Sequence, residues 1–211
     1  MSASCCQHDS PPAARDDGFR RVLWIALVVN AGMFLVEGVS GLLGDSVSLQ
    51  ADALDFLGDA ANYGLGLAVL GLALTHRATA ALIKGVSMGL FGLWVVGSAV
   101  HNMVVRTVPS PAVMGAVGFL ALAANLGVAV LLYRHRTGDS NRRSVWLCTR
   151  NDAIGNLAVM LAASGVFASG TAWPDLAVAF VMATLALSSS YRVIAQAVGE
   201  IRSVSRLSLA E

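Results

Sequence analysis

The chain has 211 residues, 56% of them hydrophobic and 13% charged, with a formal net charge of +1 at pH 7. That balance, with a mean hydropathy of +0.68, excludes an ordinary soluble domain, in which about a quarter of the residues are charged. The near-neutral charge, with no basic cluster interleaved by aromatics, excludes a nucleic-acid partner.

The first 20 residues read as a flexible polar tail. Its "CCQHD" stretch holds Cys5, Cys6 and His8, soft and borderline donors that could collect a metal ion. Adjacent cysteines are poorly spaced for one closed site, so a solvated tail is the plain alternative. No short apolar region with a small-residue cleavage site follows, so no cleaved signal peptide is expected. Cys148 is the third cysteine, and an odd set split between a tail and a span gives no disulfide framework.

Six apolar stretches follow, each near the roughly 20 residues that cross a bilayer: Val22–Gly44, Val47–Leu74, Ala80–Val105, Ala112–Tyr133, Ser144–Ser169 and Trp173–Val193. They predict an all-α integral membrane protein of six transmembrane helices over residues 21–198, with the bilayer as its surroundings and a short tail at 199–211. Gly38, Gly41 and Gly44 in the first span and Gly85, Gly89 and Gly92 in the third predict close helix packing, since glycine lets backbones approach. Arg15, Arg20, Arg21, Arg77, Lys84, Arg134, Arg136, Arg142, Arg143, Arg192, Arg202 and Arg206 belong to one set of loops and ends, and only Arg106 to the other. Positive loops stay inside, so both termini are expected to be cytoplasmic, in a multi-pass protein of the cell (inner) membrane.

The second span carries "SLQADALDFLGDAANY". A carboxylate at mid-membrane costs roughly 2.5–3.5 kcal/mol on the insertion scale, so Asp52, Asp55 and Asp59 call for a compensating ligand. At about 100° per residue, these three and Asn62 share an arc of about 80°. Asp55 and Asp59, one turn apart, can reach a single cation beside the helix. Asp52 lies a turn nearer the outer surface, where it either lines the path or pairs with polar neighbours.

The fifth span, "SVWLCTRNDAIGNLAVMLAA", repeats the spacing with Cys148 and Asp152, flanked by Asn151 and Asn156. Two such pairs make a four-ligand set. Mixed oxygen and sulfur donors suit Zn²⁺ and admit Cd²⁺ or Co²⁺. Cys148 is equally a small packing residue, with Asn151 or Asn156 able to supply a carbonyl oxygen in its place. Arg150, far round the helix from Asp152, is expected to snorkel to the cytoplasmic surface.

With these residues in place the chain resembles the cation diffusion facilitator family of divalent-metal/proton antiporters. The resemblance rests on Asn30 and Glu37 in the first span, "DSVSLQADALDFLGDAANY", Asn125, "NRRSVWLCTRNDAIGNLAV" and "WPDLAVAFVMATLAL". It implies a transport site at Asp55, Asp59 and Asp152, with Cys148 standing where the family usually has histidine. It further implies alternating access in a homodimer. The cytoplasmic metal-binding domain that usual members append after the sixth span is absent from this sequence, so dimerisation is expected to rest on the membrane helices.

The function expected is efflux of a divalent cation in exchange for protons, with the metal as substrate and no further cofactor. Two other readings use the same residues: a membrane metal sensor or accessory protein that binds without transport, and an intramembrane aspartyl protease, which also needs two membrane aspartates on different helices.

Overall fold

The computed structural model describes the backbone of residues 17–68, 74–134 and 140–207 and, on the fifth helix, the side chains from Asp152 onward. The described residues form six helices and no strand: α1 (Asp17–Leu43), α2 (Val47–Ala68), α3 (Leu74–Val105), α4 (Pro111–Tyr133), α5 (Ser140–Ser169) and α6 (Trp173–Leu207). Leu74, assigned by sequence to the second span, instead opens α3, because the apolar run from Gly64 continues across the connection and hydropathy marks no break there. The sixth helix continues past Val193 to Leu207.

Among the described residues, α1, α3, α4, α5 and α6 are long and apolar enough to cross a membrane. Helix α2 is not in that set. Its three aspartates dilute its apolar character, and it lies inside the bundle, with twelve of its 22 residues buried. The exterior presents Trp24, Leu43, Leu90, Phe167 and Phe180, whereas Asn30, Glu37, Asp52, Asn125, Asn156 and Asp175 are buried. Polar inside and apolar outside is the reverse of a soluble fold, and it is what hydrocarbon surroundings select. The protein is an integral, multi-pass membrane protein.

Three connections meet at one end of the bundle. The Ser110 N–H donates to the Gly44 carbonyl at 2.9 Å. Asn102 Nδ2 donates to the carbonyl of Asp45 at 2.9 Å; Asp45 turns the chain between α1 and α2 with φ 53°, a left-handed conformation that aspartate tolerates better than most residues. Asp175, in the first turn of α6, accepts from the Ser46 hydroxyl (2.7 Å), the Val47 N–H (2.8 Å), and the Ser48 N–H (3.1 Å) and hydroxyl (2.6 Å). The opening turn of α2, whose N–H groups have no partner within the helix, is thus capped from another helix. At the opposite end, Phe19, Leu23 and Ala26 of α1 pack with Tyr63 of α2 and Val128 and Leu132 of α4. The helices therefore run up and down in turn, and α1 begins at the end where α2 finishes.

Glycines set the tightest seam. A Cβ on Gly85 would stand 2.9 Å from Ile194, one on Gly89 2.7 Å from Ser190 Oγ, and one on Gly92 2.9 Å from Leu187. The third-span glycines therefore pack α3 onto α6, and Ser190 donates to the Gly85 carbonyl at 2.7 Å across that seam. In the first span the expectation holds for Gly41, which lies against Gln50, and Gly44, in the turn after α1, lies against Val113. It fails for Gly38, which has no described atom within 4 Å of a built Cβ.

Candidate functional site

Helix α2 presents Asp52, Asp55, Asp59 and Asn62 along one stripe, and the other helices place polar groups against it. From α5, Asn156 Nδ2 donates to Asp52 Oδ2 at 2.6 Å. From α4, Asn125 Nδ2 donates to Asn156 Oδ1 at 2.8 Å. Gly155 lies beside this bond, where a built Cβ would stand 4.0 Å from Asp52 Oδ1, an ordinary contact. Asp52 is thus the buried acceptor at the end of a chain of amides. It is only 2% exposed, so in this conformation it lines no open path.

One level further along the stripe, the Asp59 carboxyl lies within hydrogen-bonding reach of Asp152, and Tyr63 donates its hydroxyl to Asp59 Oδ2 at 3.2 Å. Asp55, half-buried, sits in the field of both Asp52 and Asp59. The second and fifth helices therefore converge at two levels, Asp52 with Asn156 and Asp59 with Asp152. Among the described residues no group of three histidine, cysteine, aspartate or glutamate side chains closes around one metal position. Cys148 and Asn151 belong to α5, but their side chains, like that of Arg150, lie outside those described; Cys5, Cys6 and His8 lie outside the described residues altogether.

Two charged groups lie against the stripe from helices that carry no metal-ligand candidate. Lys84, counted by sequence with the loop charges, lies within α3, donates from Nζ to Asn62 Oδ1, and is close enough for its charge to act on Asp59. The acidic stripe thus carries an ammonium from a residue that the sequence reading counted only for orientation. Glu37 of α1, known from sequence only through the resemblance, is fully buried and faces Asp52. Its position inside an otherwise apolar span was the one signal that could have marked it as more than a family match.

A six-helix membrane bundle with an acidic stripe shared between its second and fifth helices describes a class of membrane cation carriers. Residues 23–201 match the cation efflux transmembrane domain, and the chain belongs to that family, the cation diffusion facilitators. It is 27% identical over 190 residues to a cadmium, cobalt and zinc/H(+)-K(+) antiporter of Bacillus velezensis, a match covering 82% of this chain and 60% of the relative. It is 26% identical over 218 residues to the zinc transporter ZitB of Escherichia coli, covering 96% of this chain and 68% of that protein. The chain thus spans about 60% of the length of the antiporter it matches.

Proposed function

We propose that the protein carries a divalent transition-metal cation, Zn²⁺ with Cd²⁺ or Co²⁺ as alternatives, out of the cytoplasm in exchange for monovalent cations. The observation that carries this reading is the meeting of Asp59 and Asp152 inside the bundle. Two carboxyl groups from different helices, in a low-dielectric interior, are stabilised by a shared cation and repel without one. Asp55 supplies a third ligand, through oxygen, and Cys148, one turn before Asp152, a fourth, through sulfur. Metal enters from one side, displaces the cations that neutralise the acidic groups, and favours the conformation that opens to the other side. The names of the relatives, a zinc transporter and an antiporter of cadmium, cobalt and zinc against protons and potassium, support both the cargo class and the exchange.

The test is zinc flux into proteoliposomes containing only this protein. Asp59→Asn and Asp152→Asn are each expected to abolish zinc-driven counter-ion movement while the protein stays folded; normal flux in either variant refutes the site. Zinc binding without flux in the wild type would instead favour the sensor reading. The protease reading uses the same two aspartates, but membership of a transporter family weighs against it.

A further inference from the structure

Glu37 is the least expected group in the bundle. It is 0% exposed, and neither of its carboxylate oxygens finds a hydrogen-bond donor among the described residues. Its place is fixed from both sides. One turn on, Gly41 lies against Gln50 of α2, with a built Cβ 3.0 Å from Gln50; one turn back, Met33 packs with Phe56 of α2 and Ala121 of α4. Between these contacts Glu37 comes within hydrogen-bonding reach of Asp52.

Asp52 cannot serve Glu37 as a donor while it is ionised. Its Oδ2 already accepts from Asn156, whose own oxygen accepts from Asn125, so both amides are oriented to treat Asp52 as an acceptor. Two acceptors therefore face each other in a dry interior, where an uncompensated carboxylate costs several kcal/mol. Among the described residues nothing neutralises them. Helix α4, packed on the other side of α1, carries no ionisable side chain from Pro111 to Leu132, and the charged groups facing Glu37 from α2 are Asp52 and, further off, Asp55. The ligand atoms that Glu37 and Asp52 offer are carboxylate oxygens, a set that suits hard cations better than a soft transition metal.

We propose that Glu37 and Asp52 form a second cation seat, distinct from the divalent-metal ligands Asp55, Asp59 and Asp152, which holds the hard monovalent counter-cation of the exchange. This deepens the exchange reading and rests on it for its role, while the seat itself can be measured independently. The occupant is a proton bridging the two carboxyl groups or an alkali ion between them, and the arms of the test distinguish these.

The experiment compares the wild type with Glu37→Gln and, as a second variant, Asp52→Asn. In detergent, zinc affinity is measured by equilibrium dialysis. In proteoliposomes, zinc flux is measured with a pH gradient alone, and with a potassium gradient in which choline replaces potassium in the control. Because the seat is already neutralised in the wild type, Glu37→Gln is expected to keep zinc affinity within about threefold. Flux in this variant should lose its response to the gradient that drives the wild type: potassium if the occupant is an alkali ion, pH if it is a proton. A fall in zinc affinity of more than about tenfold would make Glu37 part of the metal site and overturn the proposal, as would flux that responds to both gradients as the wild type does.

If the variants do not fold, wild-type protein suffices. A membrane-soluble carbodiimide should modify Glu37, read by mass spectrometry, with protection by potassium for an alkali occupant or by raised pH for a proton. Labelling indifferent to both, or no labelling at all, overturns the seat. Failure of the wild type to bind or move zinc would sink the transport reading and leave this labelling result standing.

Discussion

Asp175 and Ser46, 129 residues apart, are joined by a 2.7 Å hydrogen bond from the serine hydroxyl to the carboxylate. The same carboxylate takes the N–H groups of Val47 and Ser48, so the helix that bears the acidic stripe is fixed at its start by α6. Charge-assisted hydrogen bonds contribute about 1.5–3 kcal/mol each, and buried donors left without a partner are costly. Asp175→Ala is therefore expected to destabilise the protein by about 3–4 kcal/mol, and Ser48→Ala by about 1 kcal/mol. Thermal melts in detergent check both; equal melting temperatures for wild type and Asp175→Ala would show that α2 is held by packing alone.

On the proposed reading, Lys84 competes with the metal for the acidic stripe. Its ammonium sits on the stripe beside Asn62 and acts on Asp59, so an arriving divalent cation is repelled by it, in part screened by the surroundings. Lys84→Gln is expected to tighten zinc binding about fivefold and to slow zinc release, lowering turnover. Lys84→Arg should stay close to wild type. Equilibrium dialysis and single-turnover efflux separate the two effects, and unchanged affinity in Lys84→Gln would remove lysine from the metal's energetics.

Cys148→Ser exchanges a soft donor for a hard one. Cadmium affinity is expected to fall about tenfold or more, with zinc affected less, because thiolate selects the softer ion. Competition dialysis between the two metals checks this. A proportional loss for both would leave Cys148 as packing.

The glycine seam sets up a contrast. Gly89→Leu drives a side chain into Ser190, where even a Cβ would stand at 2.7 Å, and is expected to destabilise by about 1–3 kcal/mol. Gly38→Ala meets no described atom and should stabilise α1 by about 0.5–1 kcal/mol, the helix-propensity gain. Parallel melts of the two variants read both signs.

Six helices were legible from apolar runs of spanning length, and the acidic stripe from the spacing of Asp52, Asp55, Asp59 and Asn62 on a single helix. Relations between helices were less accessible. The Asn125–Asn156 and Asn156–Asp52 bonds link residues 31 and 104 apart, and no periodicity within a span reports them. Lys84 was misassigned because a positive residue near a span end satisfies the orientation rule whether it faces the cytoplasm or the interior. The cap by Asp175 escaped notice because an acidic residue in the first turn of a helix is already favoured by that helix's own dipole, which masks service to another.

The two kinds of seam in this bundle have different mechanical fates. Side chains from α6 interlock with the glycines of α3, and separating them would open a void that neither lipid nor solvent fills well. Across the α2–α5 boundary the site is held by amide and carboxyl groups, each of which can exchange its partner for a water molecule at little net loss. A crevice admitting water should therefore form beside Asp52 and Asp59, while α3 and α6 travel together as one rigid strut.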